Sequence, residues 1–243
     1  MQPNGNAALT LASQTNQLQQ YLSQDSLEKL RSIMTPLQYK TGTRLFWEGE
    51  PAQKLFYILK GQVKVTKTTD EGREMILYIL QDGDFFGEMG GFNDAEFSFS
   101  GEAMKNTEAG IIDILDLEQL ISMNGEFAVQ FIKWMGVLQR TTESKFRDLL
   151  LFGKNGALAS TIIRLCNSYG KMTENGIELQ IKLNNTDFSN MIGTTRESVN
   201  RLLKEYKDAG AISMLHSQIT VHDLQYFRDL VHCPNCPEEI CRI

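Results

Sequence analysis

The chain has 243 residues, of which 42% are hydrophobic and 22% charged, a composition typical of globular proteins. It contains no run of about 18 apolar residues, and its polar, Asn/Gln-rich N-terminus lacks a signal peptide's basic and apolar regions, so we expect a cytoplasmic protein without a membrane span. The net charge of −6 argues against nucleic acid as a partner of the whole chain. However, residues 1–151 carry 14 basic and 20 acidic side chains, whereas residues 152–243 carry 10 of each. An anionic partner is therefore expected at the C-terminal part.

The N-terminal half has the pattern of a small β domain. Residues 1–20 are predicted to form a flexible tail, and a short amphipathic helix is predicted from about Ser23 to Arg31. Beyond Pro36, short β-rich runs alternate with turn signals, which indicates an antiparallel roll or barrel over residues 21–125. The runs are Leu55–Leu59, Val63–Thr66, Met75–Leu80, Ser98–Ala103 and Gly110–Ile114.

The longest helical pattern follows, over residues 126–151. A stripe of bulky side chains recurs every three or four residues along it, from Phe127 through Trp134 to Phe146 and Leu149. Such a stripe suits a dimer seam, and it equally suits a helix buried on its own domain.

Residues 152–228 are predicted to form a second unit with a helix-turn-helix. A helix over Ala157–Tyr169 and a strand over Gly176–Leu183 precede it, and strands near Ile212–Met214 and Gln218–Val221 follow it. Asn185 or Thr186 is expected to cap its first helix, and Gly193 suits a turn that needs positive φ. Thr194 and Glu197 are predicted to form a capping box that begins the second helix.

The second helix of this motif is predicted to have two distinct faces. At about 100° per residue, Val199, Leu202, Leu203 and Tyr206 fall on one side and a polar set falls on the other. Arginine can donate two hydrogen bonds to O6 and N7 of guanine, and glutamate can accept one from N4 of cytosine. Hydroxyl groups and lysine are suited to contacts with backbone phosphates. The polar set is Thr195, Arg196, Glu197, Ser198, Asn200, Arg201 and Lys204.

The last eleven residues contain three of the four cysteines. Cys233, Cys236 and Cys241 form a C-x2-C-x4-C array on a short polar segment over residues 229–243. The spacing fits an iron–sulfur cluster, a zinc site completed by His232 or His222, a dithiol switch, or a free tail, and it does not separate iron from zinc. Cys166 is expected to be a buried small hydrophobe.

The segment Thr195–Leu202 resembles the recognition helix of the Crp/Fnr family of winged-helix regulators, and Phe86–Gly90 resembles the turn of that family's sensory β-roll. The likeness covers nearly the whole chain. It implies a cyclic-nucleotide-binding-like β-roll (a double-stranded β-helix), a long dimerisation helix and a C-terminal winged helix. It further implies a homodimer that binds double-stranded DNA at TGTGA-type palindromes through Arg196, Glu197 and Arg201, and that contacts RNA polymerase.

Members of this family that bind cyclic AMP hold its phosphate with an Arg-Ser pair about ten residues after the Gly-Glu turn. This chain has no arginine in the corresponding stretch, Asn93–Phe99, where a phosphate would meet Asp94 and Glu96 instead. We therefore expect Glu88 to be a structural residue of the turn and disfavour a cyclic-nucleotide effector.

Within the family, the C-terminal cysteines resemble those of the Bacillus-group Fnr branch. That likeness implies an oxygen-sensing [4Fe–4S] cluster held by Cys233, Cys236, Cys241 and Asp148, since the surroundings of that aspartate match Phe146–Leu151. The alternative for Asp148 is a helix-surface carboxylate near Lys145 and Arg147. The sequence thus predicts a regulator of the anaerobic response and no enzyme. A zinc or thiol switch, a small-ligand effector and an electron carrier are the alternatives.

Overall fold

A computed structural model describes residues 18–89 and 96–243. Most of the predicted tail, residues 1–17, lies outside the described residues, as do Gly90 and Asp94. Residues Leu18–Gln20 form one 3-10 turn with Leu18 fully buried, so the tail prediction was wrong for this end of it. The helix predicted next is α1, Gln24–Ser32, which begins at its cap Ser23.

Two four-stranded antiparallel sheets form the N-terminal roll. Their strand orders are β1-β8-β3-β6 and β2-β7-β4-β5. The strands are β1 Thr35–Tyr39, β2 Arg44–Phe46, β3 Lys54–Lys60, β4 Gln62–Thr68, β5 Glu74–Gln81, β6 Phe85–Gly87, β7 Ser100–Ala103 and β8 Thr107–Asp113. Pro36 is tolerated in β1 because β1 is an edge strand, where a missing N–H costs no ladder bond.

Two apolar clusters hold the roll together. Between the sheets, Phe46 stacks against Phe56 and Phe97, with ring centroids 5.0 and 4.0 Å away. Outside the first sheet, α1 and a helix that the sequence did not predict, α2 Ile114–Met123, cover Leu55 and Ile112. Burying side chains of this size stabilises the fold by about 1.5–3 kcal/mol each.

The long helix α3 runs over Gly125–Tyr169 and is broken at Gly153, whose φ of 58° and ψ of −159° are not helical. Its aromatic stripe divides into two parts. Phe127, Phe131 and Trp134 are buried against the roll, whereas Phe146 and Leu149 are exposed. A helix buried on its own domain therefore describes the first part of the stripe, and the second part leaves apolar side chains exposed.

Helix α3 is also the one described helix long and apolar enough to cross a membrane. Its most apolar window has a mean hydropathy of 1.3, and 61% of that window is buried inside the protein. This degree of burial is ordinary for the core helix of a folded domain, and the break at Gly153 interrupts the helix besides.

The C-terminal domain packs the second part of α3 against a sheet and three helices. Its sheet has the order β11-β12-β10-β9. The remaining elements are β9 Gly170–Thr173, β10 Gly176–Leu179, α4 Asn185–Ile192, α5 Arg196–Asp208, β11 Ile212–Leu215, β12 Gln218–Val221 and α6 Leu224–Leu230. The β11–β12 hairpin is the wing. The core of the C-terminal domain centres on Phe188, Tyr206 and Phe227, which are fully buried.

Strand β5 of the roll belongs to the core of the C-terminal domain as well as to its own sheet. Ile76 and Ile79 are buried in the same cluster as Leu158 and Ile162 of α3. Tyr169 donates its hydroxyl to the Ile79 carbonyl at 2.9 Å. The two domains therefore share buried side chains across this strand.

Candidate functional site

The first candidate site is the helix-turn-helix formed by α4 and α5. Gly193 ends α4 in the left-handed conformation, with φ 65° and ψ 38°, as the sequence predicted. Its N–H donates a hydrogen bond to the Ser189 carbonyl, and Ser189 is buried where the two helices meet. The absence of a Cβ permits this tight turn at little cost, and the turn sets the angle between the helices.

Both predicted helix caps were displaced by one residue. Asn184, rather than Asn185 or Thr186, caps α4 in a complete capping box with Asp187. Thr195, rather than Thr194, caps α5 and accepts from the Ser198 N–H at 3.3 Å, so the box predicted between Thr194 and Glu197 was wrong. In each pair, two adjacent polar residues offer similar capping oxygens, and the backbone direction selects between them.

Helix α5 presents the predicted polar set on its outer face. Val199, Leu202, Leu203 and Tyr206 are buried beneath it. Of the predicted reading residues, Ser198 is half-buried and the following are exposed: Thr195, Arg196, Glu197, Asn200, Arg201 and Lys204.

Four of these polar side chains make contacts within the domain, two of them with each other. Asn200 accepts a hydrogen bond from the Asn185 side chain of α4. Arg201 lies 3.9 Å from Glu205 in a solvent-exposed pair, which is weak enough to yield to a better partner.

The structure adds Lys154 to this surface, which the sequence analysis did not select. Its Nζ lies 3.3 Å from the Ser198 hydroxyl, beside the N-terminus of α5. Lys154 follows the break in α3, so no helical periodicity places it there. The neighbouring residue Asn155 is held against α5, because Tyr206 donates its hydroxyl to the Asn155 side chain at 2.6 Å.

The second candidate site is the C-terminal cysteine segment, residues 229–243, which packs on the second part of α3. Asn167 donates to the Cys241 carbonyl at 2.7 Å, and the Ser168 hydroxyl accepts from the Ile243 N–H at 3.1 Å. Cys233 donates its N–H to the Arg228 carbonyl at the end of α6. All three cysteines are half-buried, so the segment is a docked element and not a free tail.

Asp148 lies beside this segment and is buried, with 2% of its side chain exposed. Its Oδ2 accepts from Nη2 of Arg164 at 2.8 Å, and its Oδ1 accepts from Nε of Arg147 at 2.9 Å. The alternative of a helix-surface carboxylate was therefore wrong. Arg164 was missed by sequence analysis because it lies 16 residues away, beyond the break in α3.

The other three candidate ligands affect the pKa of the Cys241 thiol. Burial raises the pKa of the Cys241 thiol, the Arg164 guanidinium opposes this, and the charges of Cys233, Cys236 and Asp148 raise it further. Across residues 18–89 and 96–243, no three His, Cys, Asp or Glu side chains converge closely enough to bind a single metal ion. The donors are thus neighbours without forming a compact mononuclear site.

The other cysteine and two of the histidines have partners of their own. Cys166 is buried as predicted, and burial raises its pKa to about 12, so it stays a thiol at neutral pH. His222 is held in the C-terminal sheet by the Asn175 carbonyl and the Ser213 hydroxyl, at 2.6 and 2.8 Å. The His232 ring lies against Phe152, with centroids 5.8 Å apart.

The roll contains a cavity of about 510 Å³ between its strands and α3. Its described lining is mainly aromatic and aliphatic, with Glu88 and Glu96 and no lysine or arginine. Glu88 accepts from both the N–H and the hydroxyl of Ser98, which supports its expected role in holding the turn. Among its described residues, the cavity offers no cation to a phosphate.

These features define a class: a regulator with a β-roll sensory domain, a long helix and a winged helix that binds DNA. Residues 36–124 match the model of the cyclic nucleotide-binding domain, and residues 156–230 match that of the Crp-like helix-turn-helix domain. The chain belongs to the Crp/Fnr family of transcription regulators, which are not enzymes.

Relatives and solved structures agree with this assignment. The chain is 39% identical over 224 residues to the anaerobic regulatory protein of Bacillus subtilis, covering 91% of this chain and 94% of that protein. It is 32% identical to the cAMP-activated global transcriptional regulator CRP of Salmonella typhimurium, covering 76% of this chain and 88% of that protein.

Its fold is similar to that of a CooA variant from Carboxydothermus hydrogenoformans, with a TM-score of 0.71 and 22% identity over 83% of this chain and 89% of that one. It is also similar to the c-di-GMP responsive regulator CLP of Xanthomonas campestris, with a TM-score of 0.70 and 21% identity over 83% of this chain and 100% of that one.

Proposed function

We propose that this regulator senses oxygen through a [4Fe–4S] cluster held by Cys233, Cys236, Cys241 and Asp148, and acts in the cytoplasm on genes of the anaerobic response. The observation that carries the proposal is the docking of the cysteine segment beside a buried aspartate, with the four donors within one another's electrostatic reach. The likeness to an anaerobic regulatory protein supports the same conclusion.

The donor set fits such a cluster. Iron–sulfur clusters are bound by thiolates, and each ligand of a cubane binds a different iron, so the ligands stand further apart than those around one ion. Among the described residues these donors do not converge on one point, so the segment would have to rearrange to bind a single zinc ion in a tetrahedral site. In the cluster-free chain, Arg147 and Arg164 pair with the carboxylate of Asp148 and so offset its buried negative charge.

When bound, the cluster supplies reactivity towards oxygen, and the chain's own residues convert its presence into structure. The segment over residues 229–243 contacts α3 through Arg164, Asn167 and Ser168, on the part of α3 that belongs to the C-terminal domain. Arg164 in turn bonds to Asp148, which lies before the break at Gly153. Binding of the three cysteines to a cluster would fix the segment more firmly on α3, and after cluster loss the segment would be held by these hydrogen bonds and by the packing of Ile240 and Ile243 on the core. We therefore expect cluster loss to change the orientation of the C-terminal domain relative to the first part of α3.

For DNA, we propose that a homodimer binds a TGTGA-type palindrome with one α5 in each major groove. Arg196, Glu197 and Arg201 read base edges because they lie exposed on the first two turns of α5. The backbone phosphates are contacted by Thr195, Ser198, Asn200, Lys204 and, from the structure, Lys154. RNA polymerase is the expected protein partner at the promoter.

The dimer seam is proposed to be the exposed face of α3 between α2 and the break at Gly153. Val129, Ile132, Phe146 and Leu150 are exposed there at helical spacing. Single apolar side chains on a surface are ordinary, but two exposed apolar groups on one helix face, separated by the polar residues Gln139 and Glu143, suit a partner helix. In this arrangement residues 126–151 are the dimerisation helix and residues 152–228 the winged helix, as the sequence predicts.

Purification without air tests the cluster directly. We expect a brown protein with about four irons and four sulfides per chain that bleaches on exposure to air. Replacing Cys233, Cys236 or Cys241 by alanine should prevent assembly, whereas the matched control Cys166→Ala should assemble normally because its thiol is part of the hydrophobic core of the C-terminal domain. A colourless anaerobic protein with one zinc per chain would refute the proposal in favour of the zinc alternative.

A further inference from the structure

The buried carboxylate of Asp148 already has a cationic partner on each oxygen. Arg164, of which only 3% of the side chain is exposed, donates Nη2 to Oδ2 at 2.8 Å, and Arg147 donates Nε to Oδ1 at 2.9 Å. A carboxylate held by two guanidinium groups in this way is a satisfied group in a low-dielectric setting. Each carboxylate oxygen has a second lone pair, but the Asp148 side chain is only 2% exposed, so a further ligand can reach it only by displacing a group that now covers it.

Arg164 also connects Asp148 to the cysteine segment. Its Nη1 donates to the Ile240 carbonyl at 3.3 Å, immediately before Cys241. Its Nε is buried and has no hydrogen-bond partner among the described residues, so the Asp148 carboxylate and the Ile240 carbonyl are the acceptors on which this buried cation depends.

Arg147 is linked to the same segment. Burial lowers its pKa, and hydrogen bonding to Asp148 with the nearby Cys236 sulfur outweighs that effect and raises it. Both arginines thus face an aspartate on one side and the cysteine segment on the other. Arg147 is the more exposed of the two, with 34% of its side chain accessible.

We propose that Arg164 and iron compete for Asp148, so that the carboxylate is paired with Arg164 in the cluster-free chain and exchanges this partner for iron when the cluster is bound. This inference rests on the proposed function. In the exchange an iron–oxygen bond forms and a guanidinium–carboxylate hydrogen bond breaks. Asp148 remains ionised and Arg164 protonated, so no proton or electron is transferred. Arg164 is a positioning residue that stabilises the cluster-free fold, because it gives the buried carboxylate a partner when the iron is absent.

Competition has a thermodynamic signature that a purely structural arginine lacks. A residue whose main partner is taken away in the bound state stabilises the free state more than the bound one. Weakening it therefore destabilises the cluster-free fold and strengthens cluster retention by the same linkage. A purely structural arginine would weaken both states together.

The test compares Arg164→Lys with wild type, since lysine keeps the charge but loses the fork. In the cluster-free protein under argon, urea unfolding should show an unfolding constant about tenfold larger. In the loaded protein, also under argon, an iron chelator should bleach the variant several-fold more slowly than wild type. Arg147→Lys should shift both measurements in the same directions by less, and it serves if Arg164→Lys does not fold. Arg228→Lys is the control, because the charge of Arg228 acts on Cys166, which lies outside the proposed ligand set.

Faster bleaching of both Asp148-paired variants would overturn the competition, as would an unchanged cluster-free fold. If Asp148→Ala retains its cluster as long as wild type, the aspartate is not a ligand and this inference fails while the cluster itself stands. If wild type assembles no cluster, the proposed function fails and the competition fails with it.

Discussion

A prediction that the structure makes quantitative concerns Asp84, on the turn between β5 and β6. Its carboxylate is buried and accepts from the Gln81 N–H at 2.8 Å. Burial raises the pKa of Asp84 from 3.8 to about 7, against the lowering effect of that N–H and of Arg242, while Asp82 adds to the rise. The folded protein therefore holds this proton more tightly than the unfolded chain does.

The sign of the effect on stability follows from that difference. Between about pH 4 and pH 7 the folded state keeps a proton that the unfolded state has released, so the stability contributed by Asp84 falls as pH rises. A shift of about three pKa units corresponds to a cost of about 4 kcal/mol once the pH exceeds 7. An asparagine side chain at this position would carry no charge at any pH, and its amide oxygen could still accept from Gln81.

We therefore expect Asp84→Asn to lie within about 1 kcal/mol of wild type near pH 4.5 and to be more stable by up to about 4 kcal/mol at pH 8. Urea unfolding at fixed protein concentration, at pH 4.5, 6 and 8, measures the difference. Asp70→Asn is the matched control, because that carboxylate is exposed on the turn between β4 and β5 and should give no comparable gain. A difference between Asp84→Asn and wild type that stays constant with pH would refute the reasoning.

Two further predictions concern DNA binding, one concerns a helix cap and one concerns the dimer. Arg196→Ala and Arg201→Ala should each weaken binding to a TGTGA-type palindrome by about 1–3 kcal/mol in fluorescence anisotropy, and equal losses on scrambled DNA would reduce them to phosphate contacts. Inserting half a helical turn between half-sites that are about 34 Å apart should abolish tight binding, whereas a half-site bound as tightly as the palindrome would contradict a dimer. Thr195→Ala should cost about 1 kcal/mol of stability through its lost cap, and Thr194→Ala, one residue before the cap, should cost less; the reverse order in urea unfolding would contradict the observed cap. Ile132→Glu should shift the chain towards monomer in light scattering because its side chain is 66% exposed on the proposed seam, and an unchanged dimer mass would place the seam elsewhere.

The helix-turn-helix could be predicted from sequence because its signals are local. The turn glycine, the caps and the two faces of α5 all lie within about 20 residues, and each follows from backbone geometry alone. The errors there were one-residue displacements between adjacent capping side chains, Asn184 against Asn185 and Thr195 against Thr194. Such choices depend on the chain direction on entering the helix, which the sequence does not specify.

The parts that sequence analysis missed depend on contacts between distant residues. Strands β1, β2 and β6 are short and carry no alternation, so only their neighbours in the sheet reveal them. The division of the α3 stripe at Trp134 depends on where the roll ends against the helix. The pairing of Asp148 with Arg164 requires the break at Gly153 to bring two helical segments together.

The strand that serves two cores has a consequence for how this chain acquires its structure. Residues Ile76 and Ile79 complete the C-terminal domain from far upstream, since Ile79 lies 90 residues before Tyr169, which bonds to it. During synthesis the roll emerges first, and its hairpin of β4 and β5 is then a preformed template on which the later helices condense. A fragment that begins after the break lacks these two isoleucines and leaves an apolar groove where they would pack. We therefore expect the two domains to unfold together in a single thermal transition. The β-roll would also assist folding of the DNA-binding domain, because it supplies part of that domain's core.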